Sequence, residues 1–117
     1  MTHHPLDYTE ISVRDLAVAR AFYAAAFDWE FNAYGDAYAG IRTPDGSGEV
    51  GGLGLGEPGP GGVLALVRSG DLGASLGAVE AAGGTVVDPP YDYPGGRRFV
   101  CADPDGNRIG VYQPAEG

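Results

Sequence analysis

Carboxylate and phenol side chains occupy strand-like segments of this chain, and they are suited to acid–base chemistry or to holding a ligand. Glu10 follows Tyr8 by two residues in an alternating segment, so both side chains point to one face of a strand. Partial burial would tune Glu10 as a general base or as a group that orients a ligand. The alternative is structural, with the Glu10 carboxylate bonded to a backbone amide or a tyrosine hydroxyl.

Two further tyrosines lie in predicted strands. Tyr38 and Tyr112, like Tyr8, present a ring and a hydroxyl. Each ring would either pack in the core or an interface, or stack on a ligand in a cleft. The sequence leaves both alternatives open.

Paired arginines form a third candidate group. Arg97 and Arg98 follow a Pro-Gly-Gly turn, in a predicted loop that also contains Tyr91 and Tyr93. Guanidinium groups beside aromatic rings can clamp an anion or stack on a planar group. A solvated strand end is the alternative.

Other catalytic patterns are missing from the sequence. Cys101 lies in an apolar run, which favours a small packing residue over a nucleophile. No Ser-His-Asp set or Cys-His pair occurs, and His3 and His4 fall in a polar leader. The glycine-rich stretch Gly51–Gly62 has no P-loop lysine and no strand–helix setting for a dinucleotide. We interpret that stretch as a linker.

The elements that would position these groups are repeated in the two halves of the chain. An alternating strand leads to an aspartate helix cap at Asp15, and the same pattern recurs 56 residues later at Asp71. Gly83-Gly84 predicts the end of the second helix. Pro-Asp-Gly turns follow at 44–46 and 104–106.

The repeat predicts the order β-α-β-β-β twice, in an α+β protein whose mixed sheet curves around a cleft with the helices outside. We expect one domain over residues 1–117, with module one at about 6–56 and module two at about 62–114. Strands are predicted at 29–34, 36–42, 50–54, 85–87, 97–102 and 109–113. Phe22, Phe27 and Trp29 are predicted to lie in the core.

Composition narrows the class of protein. The 21 Gly and 9 Pro are assigned to turns and the linker. A net charge of −9 without any lysine argues against nucleic acid, and fits either an ordinary acidic protein or an acidic cavity for a cationic molecule. A single cysteine fits a reducing compartment, and no segment resembles a membrane span or signal peptide. We therefore expect a cytoplasmic protein.

Four motifs together resemble the vicinal oxygen chelate superfamily, which includes glyoxalase I, bleomycin and fosfomycin resistance proteins, and extradiol dioxygenases. They lie at residues 10–16, 21–29, 79–84 and 103–107, and the resemblance spans about Tyr8 to Pro114. The resemblance implies paired β-α-β-β-β modules around a U-shaped cleft. In active members, His and Glu side chains there hold a divalent metal that chelates two substrate oxygens.

The ligand positions that the resemblance implies do not carry the usual ligands. Counting seven residues back from each capping aspartate gives Tyr8 and Leu64, where the family usually has His. The usual glutamate of the last strand corresponds to Gly110, and the equivalent position in the first half is Val50, beside Glu49. The metal site is therefore predicted to be absent.

One alternative keeps a metal. A bulge at Ser47-Gly48 would bring Glu49 to the face of Tyr8 and Glu10. Carboxylates without imidazole would favour Mg or Mn there.

By resemblance to the bleomycin-resistance branch, we expect a metal-free protein that binds a small, cationic molecule in its cleft, and that forms a homodimer. We expect the ligand to contact Tyr8, Glu10, Tyr38, Val50, Leu64, Arg97, Gly110 and Tyr112. The alternative is a lyase, isomerase or dioxygenase-type enzyme that uses Glu10 or Glu49 with a non-standard metal or acid–base site. A non-catalytic interaction module is the third class.

Overall fold

The computed structural model describes residues 3–115, and its elements follow the order β-α-β-β-β twice. The fold is therefore α+β, as the sequence repeat predicts. In chain order the elements are β1 Leu6–Val13, α1 Leu16–Phe27, β2 Phe31–Ala33, β3 Tyr38–Arg42, β4 Glu49–Leu55, β5 Val63–Arg68, α2 Leu72–Ala81, β6 Thr85–Tyr93, β7 Gly96–Ala102 and β8 Arg108–Pro114.

The chain divides into two compact units. The first unit is Tyr8–Leu64, and the second begins at Ala65 and includes the segment up to Asp7. Strands of the first unit lie in the order β2-β3-β4-β1, and those of the second in the order β5-β8-β7-β6. In each, the strand before the helix pairs in parallel with the last strand, and the other pairs are antiparallel.

The first unit packs α1 on one face of its strands. Asp15 caps the helix by accepting from the Val18 amide, which satisfies one of the free N–H groups at a helix start. The core of this unit is apolar and comprises Val13, Leu16, Ala39, Ile41 and Leu53.

The aromatic motif of α1 differs from its prediction. Trp29 packs against the core and stacks on Tyr23, with ring centroids 4.8 Å apart. Phe22 and Phe27 are 57% and 58% exposed, so their placement in the core is wrong. Their rings instead lie edge-on to each other, with Phe22 also against Tyr23 and Phe27 against Trp29, so that Trp29 and Tyr23 are the members of this aromatic group that contact the core.

The second unit repeats this plan with α2. Asp71 accepts from the Ala74 amide at the helix start. At its end, the Gly83 and Gly84 amides donate to the carbonyls of Glu80 and Val79, and Gly83 has φ +98°. This is the left-handed glycine stop that the sequence predicts. The core comprises Leu72, Phe99, Cys101 and Val111.

The linker and the end of β6 differ most from the sequence predictions, and the other strand boundaries move by one or two residues. Strand β4 extends through Leu55, so the linker covers only residues 56–62 rather than Gly51–Gly62. Strand β6 continues past Pro89 and Pro90 to Tyr93, whereas the sequence prediction ended it at Val87. Prolines are tolerated there because β6 pairs only with β7 in its unit, across register shifts. Neither helix among the described residues is long and apolar enough to cross a membrane.

Replacing the α2 cap tests the role of Asp71 in the second unit. We expect Asp71→Ala to lower the free energy of unfolding by about 1 kcal/mol, because the Ala74 amide loses its acceptor. Urea denaturation measures this change. Glu57→Ala, at an exposed linker residue, is the control and should change stability by less than about 0.5 kcal/mol. Equal losses in both variants would show that the cap contributes nothing.

Candidate functional site

The strands of the first unit have a face opposite α1 that carries polar side chains. Alternation places Ala39, Ile41 and Leu53 toward the helix, so the residues between them point the other way. The pairing register aligns Asn32, Gly40, Gly52 and Glu10 in one row across all four strands. Tyr38, Gly54 and Ser12 form the neighbouring row.

Glu49 lies at the centre of this face. Its carboxylate accepts hydrogen bonds from the Tyr8 hydroxyl at 3.2 Å, from the Asn32 amide nitrogen at 2.8 Å, and from the Tyr34 hydroxyl. The Tyr8 and Tyr38 hydroxyls are bonded to each other at 2.8 Å. We call these five residues, Tyr8, Asn32, Tyr34, Tyr38 and Glu49, the tyrosine–glutamate cluster.

A β-bulge brings Glu49 to this face. In the β3–β4 register Ile41 pairs with Gly51 whereas Arg42 pairs with Glu49, so Val50 is an extra residue in β4. The bulge therefore lies at Val50, not at Ser47-Gly48 as the sequence alternative placed it. Glu49 thus lies opposite Arg42 in the ladder, and Val50 is exposed.

Three glycines leave room for the cluster. A Cβ built on Gly40 would lie 2.3 Å from the Glu49 carboxylate carbon, and one on Gly52 would lie 1.8 Å from the Tyr38 hydroxyl oxygen. At Gly54 it would lie 3.2 Å from the Tyr38 ring. The Tyr38 ring and the Glu49 carboxylate therefore rest directly on backbone, which we call the glycine floor.

Burial and hydrogen bonding keep the Tyr8 and Tyr34 phenols of the cluster protonated. Burial, with the bond to Tyr38 and the Glu49 charge, raises the pKa of Tyr8 far above its usual value. The bond to Glu49 raises the pKa of the exposed Tyr34. Both hydroxyls are therefore neutral donors at physiological pH, and Glu49 is the anionic group of the cluster.

Arg42 orients the amide of the cluster. Its Nε donates to the Asn32 side-chain oxygen at 2.7 Å, which turns the Asn32 nitrogen toward Glu49. The Arg42 guanidinium also lies 3.9 Å from the Glu30 carboxylate, a pair too exposed to contribute much. Sequence analysis identified neither Asn32 nor Tyr34 as a site residue, although both lie in its predicted strand at 29–34.

The residues present do not fit the transition-metal site that the family resemblance implies. Leu64 is a half-buried apolar residue, Gly110 has no side chain, and Tyr8 holds its proton. Neutral phenols and one amide-bound carboxylate are a poor donor set for Zn, Ni or Fe. Within residues 3–115, His, Cys, Asp and Glu side chains form no group of three that could hold a metal ion.

The second unit carries a different polar group on the face of its strands opposite α2. The register aligns Arg68, Tyr112, Arg98 and Tyr91 across its four strands. We call these residues the arginine–tyrosine row. Tyr91 and Tyr93 lie on β6, so their placement in a loop is wrong, because the β6–β7 hairpin pairs up to Tyr93 and Gly96.

The neighbouring residues Arg97 and Arg98 point to opposite faces of β7. Arg97 is exposed, and its Nε lies 2.9 Å from Asp92 on the side away from the row. Arg98 is half-buried and donates from Nε to the Tyr91 hydroxyl at 2.6 Å. Its guanidinium carbon lies 4.7 Å from the Tyr93 ring centre and 5.5 Å from that of Tyr91. Because successive side chains alternate along a strand, only Arg98 lies on the face of Tyr91 and Tyr112.

Tyr112 completes this row with a bond from its hydroxyl to the Asp7 carboxylate. Burial, followed by the bond to Asp7, raises the pKa of Tyr112 to about 12, against the opposing charge of Arg68. The two cations of the row are therefore separated by a neutral phenol.

Glu10 is half-buried on the open face of the first unit, in the row of Gly52.

Comparison with known proteins places the chain in a superfamily. Residues 5–111 match the family described as Glyoxalase/Bleomycin resistance protein/Dioxygenase superfamily. The chain belongs to this superfamily, in agreement with the resemblance of its sequence motifs.

Individual relatives are distant. An uncharacterized protein of Mycolicibacterium smegmatis is 36% identical over 58 residues, which are 50% of this chain and 50% of that protein. A superfamily member from Vibrio splendidus has 17% identity and a TM-score of 0.68, over 97% of this chain and 100% of that chain. Methylmalonyl-CoA epimerase from Mycobacterium tuberculosis has 20% identity and a TM-score of 0.67, over 99% and 94%. These structural similarities establish the fold alone.

The glycine floor is tested by adding one methyl group. We expect Gly52→Ala to destabilise the protein by roughly 1–3 kcal/mol, because the new Cβ would occupy the position of the Tyr38 hydroxyl. Gly77→Ala is the matched control, since its Cβ would meet nothing within 4 Å on α2, and it should stabilise by roughly 0.5–1 kcal/mol. Urea denaturation measures both. Stabilisation by Gly52→Ala would show that Tyr38 does not rest on the backbone.

The raised pKa of Tyr112 predicts a pH dependence of stability. Folding favours its protonated form, so this contribution is complete below pH 10.0, the ordinary pKa, and is lost as the pH rises toward about 12. We expect the free energy of unfolding to fall over this range, with a smaller fall in Tyr112→Phe. The pKa values of Tyr8, Tyr34 and Cys101 are raised as well, so these groups contribute to the fall that remains in the variant. Identical slopes in both proteins would contradict the assignment.

Proposed function

We propose that this chain is a metal-free binding protein that takes a small organic cation on the tyrosine–glutamate cluster of its first unit. The observation that carries the proposal is the Glu49 carboxylate, which stands among three phenols on the glycine floor. A carboxylate supplies the counter-charge for an ammonium or amidinium group, and phenol rings attract cations through their π faces. The net charge of −9 adds a long-range attraction for cations.

The different exposure of the three groups that donate to Glu49 supports binding of an organic cation there. Tyr34 is 54% exposed, so its hydroxyl is the Glu49 partner that a ligand can displace at least cost. Tyr8 and Asn32 are half-buried and keep Glu49 in place, Tyr8 through Oε1 and Asn32 through Oε2, the oxygen that also accepts from Tyr34. A cation would thus displace the exposed Tyr34 hydroxyl from Glu49, while Tyr8 and Asn32 still hold the carboxylate.

Metal-free binding is supported by the donor chemistry of the cluster. The phenols donate protons to Glu49 and each other, which directs their hydrogens into the site where a metal ion would need lone pairs. We therefore assign no cofactor to this function. The cluster also lacks the imidazole ligands by which members of the superfamily hold transition metals, according to the resemblance described above.

An enzyme of the lyase, isomerase or dioxygenase type is the second candidate. The hydrogen-bonded series Tyr38–Tyr8–Glu49 is the feature that favours it, because such a series can pass a proton. The strongly raised pKa of Tyr8 opposes this function, since the phenol would have to ionise to act as a base. Binding without reaction therefore has the better support.

Benzyltrimethylammonium is a suitable probe, with neutral benzyl alcohol as its uncharged counterpart. We expect calorimetry to detect the cation and to show that Glu49→Gln lowers its affinity about tenfold or more, because the counter-charge is lost while the side-chain shape is kept. Glu57→Gln removes one equal charge from the exposed linker and should leave the affinity within about twofold.

Two results would contradict the proposal. Equal weakening by Glu49→Gln and Glu57→Gln would mean that only the net charge attracts the probe. Unchanged affinity in Glu49→Gln would mean that the probe binds elsewhere. Circular dichroism of both variants establishes that a loss of binding is not a loss of folding.

A further inference from the structure

We infer that a cavity on the helix side of the first unit binds a neutral aromatic molecule. The cavity has a volume of about 530 Å³, within the range of roughly 300–1,000 Å³ that is usual for small-molecule sites. The residues that line it fall between Ile11 and Val63, so it lies within this one unit. Ile11 and Val13 point toward α1, whereas Tyr8 points to the opposite face of β1. The cavity is therefore separate from the cation site proposed above.

Strand β1, helix α1 and the linker enclose the cavity. The linker is fastened to β1 at both of its ends. The Gly56 amide donates to the Val13 carbonyl at 3.1 Å, and the Gly62 carbonyl accepts from the Ser12 amide at 2.6 Å. Within the linker, the Gly62 amide donates to the Gly59 carbonyl at 2.7 Å. This wall is thus held in place by backbone bonds, which lowers the entropic cost of binding a ligand against it.

Exposed apolar side chains gather at this cavity. Val18, Phe22 and Val63 are exposed although they are large and hydrophobic, and all three line it. Exposed apolar surface that is concentrated in one concave place is typical of a binding site, whereas scattered single residues are normal. A ligand that covered these side chains would remove their apolar surface from water, which is favourable.

One wall of the cavity is aromatic. Phe22 lies edge-on to Tyr23, with ring centroids 5.0 Å apart, and both residues line the cavity. Tyr23 also stacks on Trp29 at 4.8 Å and packs against the core, which fixes its position. Aromatic rings prefer edge-on and offset-stacked neighbours, so a planar aromatic ligand would extend this series of rings.

The charges at the cavity favour a neutral ligand. The two charged residues that line it, Arg14 and Asp15, are exposed and opposite in sign. The Asp15 carboxylate is already bonded to the Val18 amide at the helix start. Net charge therefore favours neither an anion nor a cation, and an ionic group would lose hydration against the apolar walls. A neutral bicyclic aromatic molecule fits both the charge and the aromatic wall.

Titration with 2-naphthol, followed by methyl 1H–13C NMR, tests the site. We expect the probe to shift the methyl signals of Val13, Val18 and Val63. Phe22→Ala should weaken binding about tenfold, because part of the aromatic wall is lost. Phe27→Ala is the matched control and should leave the affinity within about twofold. Phe27 lies on the same helix and is 58% exposed against 57% for Phe22, but it does not line the cavity.

A second pair of variants keeps the test valid if Phe22→Ala does not fold. Val18→Asp adds a carboxylate to the cavity and should weaken binding about tenfold or more. Ala17→Asp adds the same charge one residue away, outside the cavity, and should leave the affinity within about twofold. Both variants fold, because an acidic side chain in the first turn of a helix is favoured by its dipole. Benzyltrimethylammonium should not displace 2-naphthol, since the cation site lies on the other face.

Equal losses within either pair of variants, or no shifts at millimolar 2-naphthol, would overturn the inference. Naphthalene-2-carboxylate and decahydro-2-naphthol are the charged and the non-aromatic counterparts of the probe. We expect both to bind about fivefold more weakly or worse, and equal binding of either would mean that the cavity does not select neutral aromatic molecules. Sedimentation velocity shows whether a second copy of the chain covers this wall. A dimer that excluded 2-naphthol would likewise overturn the inference.

Discussion

The absence of side chains at Gly40 and Gly52 is the constraint on which the candidate site of the first unit depends. In an ordinary antiparallel pair, opposed residues on the open face would fill the space above the strands with their own side chains. Here the directly opposed pair is two glycines, so a glutamate and a tyrosine from other positions lie across them. The cluster can form because the two strands beneath it carry no side chains at Gly40 and Gly52.

The two units use tyrosine rings with charges of opposite sign. In the first unit two phenols donate to a carboxylate, and in the second unit the rings flank a guanidinium. The helix side of each unit, in contrast, is an apolar core of similar composition. The two halves thus both have an apolar helix side, whereas their open faces differ in chemistry.

Sequence reasoning succeeded where local rules suffice. The caps at Asp15 and Asp71 and the glycine stop at Gly83 follow from backbone requirements that single residues meet. Alternation also placed Tyr8 and Glu10 on a common face.

Sequence reasoning failed where the direction of a side chain depends on the cross-strand register. The bulge at Val50 that turns Glu49 toward Tyr8, and the hairpin register that separates Arg98 from Arg97, depend on which residues pair. Phe22 and Phe27 resemble core residues by type, but both are exposed, whereas Tyr23 and Trp29 of the same aromatic group pack against the core.

The bulge at Val50 also makes the site depend on strand register as well as on residue identity. If β4 kept regular pairing beyond Gly51 with all its residues, Val50 would lie opposite Arg42, and Glu49 would point to the same side as Ile41 and the apolar core. A carboxylate cannot be accommodated there without a partner. Loss of the bulge alone would therefore abolish the anionic centre, although every residue of the cluster would still be encoded in the gene.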